Sequence, residues 1–115
     1  MLVSSNAADI TAIRRPDGTY VGAVEPLGIP GVARQLAAGS SSANTALTST
    51  CRRISIRATG ADIRYAIGGS AQTATTSSHL IVNGERLDVA LPDSPNIAVI
   101  RAGSTDGTLE VSELI

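Results

Sequence analysis

A chain of 115 residues with a formal net charge of −1 makes one domain with a modest core. Its nine basic and ten acidic residues lack the basic excess of a nucleic-acid-binding surface. Hydrophobic residues make up 43% but aromatics only 2%, with two Tyr and no Trp or Phe, so the core must be built from Ile, Leu, Val and Ala.

In chain order, residues 1–31 differ in character from the remainder of the chain. Residues 8–15 fit a short helical turn or an extended segment. Pro16-Asp17-Gly18 signals a turn, and 19–24 alternates weakly, as a strand would. Pro26, Gly28, Pro30 and Gly31 then interrupt regular structure. The region reads as an N-terminal arm with one hairpin, and 32–115 as the folded domain. Residues 31–38 fit a strand better than a helical stripe, and the Thr-rich stretch 44–50 favours a strand.

The best-defined stretch is 52–69, RRISIRATGADIRYAIGG. Ile54, Ile56 and Ala58 alternate with Arg53, Ser55 and Arg57, and after Gly60 the alternation resumes with Ile63, Tyr65 and Ile67. The pattern predicts a β-hairpin turning at Gly60. Residues 70–78 are small and polar, the composition of an exposed, mobile loop tip. A short strand over 79–82 leads to Asn83-Gly84, a strong hairpin dipeptide, and then to Leu87, Val89 and Leu91 alternating with Asp88 and Ala90. Pro92-Asp93-Ser94-Pro95 is a turn. The run Ile97-Ala98-Val99-Ile100 predicts a central strand covered on both faces. The last strand, over 108–114, sets Leu109 and Val111 against Glu110 and Ser112. ISIRATGADIRYAI and AVIRAGSTDGTLEV echo one another and predict two similar hairpins in the two halves of a sandwich. Short strands separated by turn signals every 8 to 15 residues or so point to an all-β fold, a small β-sandwich or jelly-roll-like domain with an extended N-terminal arm.

Chemistry-bearing residues are sparse. Asp62, Glu85, Asp88, Asp93, Asp106, Glu110 and Glu113 fall in turns or on outward strand positions, so solvated carboxylates are expected. Cys51 cannot form an internal disulfide and reads as a small apolar filler. With one Cys and one His (His79) there is no ligand spacing for a metal, and the glycines match no phosphate-binding fingerprint. No catalytic, cofactor-binding or metal-binding residues are assigned, and an enzyme is not expected. No apolar run approaches the roughly 18 residues that span a membrane, and the N-terminus lacks the pattern of a secretory signal. A chain made in a cytoplasm, binding neither membrane nor nucleic acid, fits these features. A sugar-binding module would need exposed aromatic platforms, for which only Tyr20 and Tyr65 exist.

All nine basic residues are Arg, as in a GC-rich coding sequence. Arg also suits protein interfaces through its planar, bidentate contacts. The arm holds Leu2, Val3, Ile10, Ile13, Leu27 and Ile29, too many apolar residues for so little regular structure to bury. These positions, with Arg14, Arg15, Arg34, Arg52 and Arg53, are the expected protein-interface residues.

From Ala33 to Ile115 the sequence resembles a group of small tailed-bacteriophage virion proteins. The resemblance is carried by ARQLAAGSSSANTAL, RRISIRATGADIRYAIG followed by TATTSSHLI, NGERLDVALPD, and NIAVIRAGSTDGTLEVSEL. It implies an accessory capsid protein of the decoration, or cement, type. Such a protein would be made in the bacterial host and bound on the capsid surface to the major capsid protein, associating with itself as a homotrimer. It brings no ligand or active-site residues. Another virion part, such as a head fibre base, collar or tail component, is the alternative.

Overall fold

The computed structural model describes the backbone of residues 12–14 and 20–22 and the whole of 28–115. It is all-β, with no helix among the described residues. The strands are β1 (Ala12–Arg14), β2 (Tyr20–Gly22), β3 (Pro30–Ala38), β4 (Ala43–Ala46), β5 (Arg53–Thr59), β6 (Ile63–Gly68), β7 (His79–Ile81), β8 (Arg86–Ala90), β9 (Asn96–Arg101) and β10 (Gly107–Leu114). β1 and β2 pair antiparallel as a separate ladder. The other eight form two four-stranded antiparallel sheets, β3-β10-β5-β8 and β4-β9-β6-β7.

This strand order has a simple origin. Folding the chain of eight strands into one long antiparallel ribbon pairs first with last and works inward: β3 with β10, β4 with β9, β5 with β8, β6 with β7. Winding that ribbon round itself adds the contacts β10–β5 and β9–β6 and closes the two sheets over one core. The result is a jelly-roll sandwich.

The faces obey the alternation. Ile54, Ile56 and Ala58 of β5, Leu109 and Val111 of β10, and Leu36 and Ala38 of β3 point inward from one sheet. Ile63 and Tyr65 of β6, Ile81 of β7, and Ile97 and Val99 of β9 meet them from the other. Leu47, Cys51 and Leu91 close the core, and Ile67, Leu87 and Val89 pack on its margin. Each buried aliphatic side chain contributes about 1.5–3 kcal/mol relative to exposure.

Several expectations are corrected. Residues 52–69 do not form a hairpin: β5 and β6 lie in opposite sheets, with Gly60 at φ +87° reversing the chain between them. β5 already has β10 on one side and β8 on the other, so it has no free edge for β6. Asn83-Gly84 likewise links β7 to β8 across the sheets, with Gly84 at φ +87°. The two echoing segments are therefore arches rather than hairpins. Together they supply the four interior strands, β5 mated to β10 and β6 to β9. Residues 70–78 also depart from expectation. The Gln72 N–H donates to Asn44 Oδ1 and the Ala74 N–H to Ser42 Oγ, and Ala74 is buried. The segment is a strap, not a free tip. It leaves β6 beside β9 and reaches β4 on the far side, crossing the outer face where Ala66 and Ala98 are paired. Ala98 points away from the core, between the inward Ile97 and Val99, yet it is fully buried. The continuous apolar run of β9 is thus covered on both faces, the outer one by the strap.

Candidate interaction surface

The eight strands β3 to β10 run along the sandwich axis, which gives it two distinct ends. At one end lie the short turns: 60–62, 83–85, 102–106 and the β3–β4 connection. At the other converge the chain leaving the arm, the β4–β5 connection, the turn before β9 and the C-terminus. There Ile29 and Ile115 exchange two backbone hydrogen bonds, at 3.0 and 2.8 Å, extending the β3–β10 ladder to the end of the chain.

The arm end is organised around Glu113, only 2% exposed. Strict alternation from Leu109 and Val111 sends its side chain inward. Opposite it β3 is bulged: Ser112 pairs with Ala33 and Leu114 with Pro30, so Gly31 and Val32 together face Glu113. Arg34 donates from Nε to Glu113 Oε2 at 3.1 Å, with its second guanidinium nitrogen also at 3.1 Å. From the β4–β5 connection, Thr48 donates its backbone N–H to Oε2 at 3.0 Å and its hydroxyl to Oε1. Burial pushes the Glu113 carboxyl up. The Thr48 hydroxyl and amide bonds, with the Arg34 hydrogen bond and charge, outweigh it and hold the group below the ordinary carboxylate range. One carboxylate therefore ties three segments together. The expectation of a solvated Glu113 fails because its position on β10 has the parity of the core.

The expected interface residues are placed unevenly. Leu2, Val3, Ile10, Arg15 and Leu27 lie outside the described residues. Ile13 and Arg14 are described by backbone alone, opposite Val21 and Tyr20. The remaining four converge on the arm end. Ile29 is 68% exposed and Arg34 is engaged by Glu113 of its own chain. Arg52 donates to the carbonyls of Ser49 and Cys51 and reaches Asp93 at 2.8 Å. Arg53 lines a shallow hollow of about 200 Å³ with Asp88, Val89, Ala90 and Leu114. Buried Cys51 points its Sγ at the Arg53 carbonyl, 3.1 Å away. Sequence reasoning missed Thr48 and Glu113. For Glu113 the signal was present in the Leu109, Val111, Glu113 spacing.

The turn end carries the second hollow, about 270 Å³, lined by Gly60, Ala61, Asp62, Asn83, Gly103, Ser104 and Thr105. Three of its lining residues, Gly60, Asp62 and Asn83, already bond to one another. Asn83 Oδ1 accepts the Gly60 N–H at 3.0 Å, and the Asn83 N–H donates to Asp62 Oδ1 at 2.8 Å. Among the described residues no group of three or more His, Cys, Asp or Glu is placed to hold a metal ion. His79 lies on the rim with its ring 5.5 Å from that of Tyr65. Tyr65 is buried, and burial followed by the Glu85 charge raises its pKa, so it offers no sugar-stacking platform. Comparisons with protein-family models, with curated proteins and with solved structures found no match.

Proposed function

We propose that this chain is an accessory virion protein of a tailed bacteriophage, a capsid decoration protein that bridges and stabilises major capsid subunits. The observation that carries the reading is a coincidence of extent: the stretch that resembles such proteins, from Ala33 to Ile115, takes in nearly the whole of the jelly roll, β3 to β10. In this reading the sandwich is a rigid body that presents surfaces, and its arm end is the face turned toward the capsid. Ile29 and Ile115 are exposed there beside Arg52 and Arg53, and Gly28, next in sequence after the apolar arm residue Leu27, lies against Leu114 at the same end. A bridging protein needs a body that does not yield under load. The Arg34–Glu113–Thr48 tie at that end would serve this by joining the last strand, the first sandwich strand and a loop.

Quantitative mass spectrometry of purified particles tests the reading. A copy number comparable to that of the major capsid protein is expected, whereas a small fixed number per particle would assign the chain to the neck or tail. Deleting residues 1–27 is expected to abolish occupancy on particles while leaving the sandwich folded. Unchanged occupancy would remove the arm from the contact.

A further inference from the structure

The sandwich has four edge strands, and three of them are short or occupied. β7 has three residues and β8 five, with Arg86 and Asp88 projecting outward. β4 has four, and the strap is bonded to Asn44 on it and to Ser42 just before it. β3 is different. It runs for nine residues, and among the described residues no strand is hydrogen-bonded to its outer side. Proteins protect long edges with lysines, prolines, bulges or inward charges. On β3 the proline and the bulge are confined to its first three residues, Pro30 to Val32. Beyond them the one inward charge is Arg34, already neutralised by Glu113 of its own chain, while Ala33, Gln35 and Ala37 are small or neutral and exposed.

The geometry points to β3 as a self-association edge. Two copies pair β3 to β3, antiparallel about a two-fold axis, and their sheets join into one of eight strands. Side-chain parity requires such a pair to be centred on a residue. Centring on Arg34 would set two arginines face to face. Centring on Gln35 sets Arg34 against Leu36, Ala33 against Ala37 and Val32 against Ala38, with no like charges opposed. Gln35 is also the midpoint of 32–38, the part of the strand from the bulge to its end. Charge rules out Arg34 as the centre, and the span of strand left to pair selects Gln35. The contact covers Val32, 46% exposed in the single chain, and lets the two Gln35 amides bond to each other across the axis. Being two-fold, it is distinct from the three-fold association implied by the resemblance, and it stands independently of the proposed role on particles.

Sedimentation equilibrium of the full chain, free in solution, tests it. The unaltered protein is expected to dimerise. The double variant Ala33→Lys with Ala37→Lys sets lysine against lysine twice across the axis and is expected to be monomeric with an unchanged circular dichroism spectrum. The variant Ala33→Lys with Ala37→Glu sets lysine against glutamate in the same register and is expected to dimerise again. A monomeric unaltered protein would overturn the proposal, as would an assembly that the lysine pair leaves intact. Failure of the lysine–glutamate variant to restore the dimer would overturn the Gln35-centred register.

Discussion

The outer faces of the two sheets are built from similar backbones and end up in different environments. On β4-β9-β6-β7 the outward Ala66 and Ala98 lie under the strap, and Ala98 is fully buried. On β3-β10-β5-β8 the outward positions are Ala33, Gln35, Ala37, Thr108, Glu110, Ser112, Ser55, Arg57, Arg86, Asp88 and Ala90. All of these are exposed or half-exposed. One sheet thus gives up the middle of its outer face to its own chain, and the other keeps a polar face and a long edge available. Small residues are what make the first arrangement possible: an alanine row leaves room for a backbone to lie across it, while the arginines and carboxylates of the second face keep to water.

The sharpest way to break this contrast is to put the same charge on both faces. Ala98→Glu places a carboxylate beneath the strap with no partner, and a loss of about 4 kcal/mol is expected in urea unfolding. Ser112→Glu on the open face should stay within about 0.5 kcal/mol. Equal effects would mean that the strap does not seal its face.

Next in size is the tie at the arm end. Glu113→Ala leaves Arg34 and Thr48 without their shared acceptor, and a loss of about 3 kcal/mol is expected by the same measurement, at the low end for a broken buried pair because Arg34 is 26% exposed. The same carboxylate predicts acid sensitivity. Its folded-state pKa is depressed, so its stabilisation is complete above the pH where an unfolded glutamate titrates, about 4.3, and is lost as pH falls through the folded value. Glu113→Gln should flatten that part of the stability–pH curve. An unchanged acid limb would mean that other carboxylates carry it.

Smaller effects grade the strap itself. Ser42→Ala should cost about 1 kcal/mol and speed hydrogen exchange at the Ala74 amide, while Gln72, held by Asn44, changes less. Least of all, Arg52→Ala removes an ion pair to the well-exposed Asp93 and should change stability by under about 0.5 kcal/mol. If it nonetheless lowers occupancy on particles, Arg52 acts at a contact and not in the fold.

Strand positions and inward faces were legible in the residues themselves. Ile54, Ile56 and Ala58, then Ile63 and Tyr65, then Leu109 and Val111 could be assigned to the core from alternation, because a period of two leaves a strand only two faces to choose between. The same rule, carried one step further, places Glu113 inside. The residue type masks it, because a carboxylate keeps to water unless donors such as Arg34 and Thr48 meet it, and those lie 79 and 65 residues away in the chain. The strap was not legible, since small polar residues read alike whether they hang free or lie across alanines.

Which strands pair was decided by tertiary structure alone. Gly60 and Gly84 reverse the chain at φ +87°, and that reversal is the same whether the next strand lies alongside the last or opposite it. The choice depends on which edges are already filled, and on β5 they are filled by β8 and by β10, the latter some fifty residues away in the chain. Alternation is a property of neighbouring residues and so is written locally. Closure of a wound ribbon is a property of its two ends, and only the folded molecule brings them together.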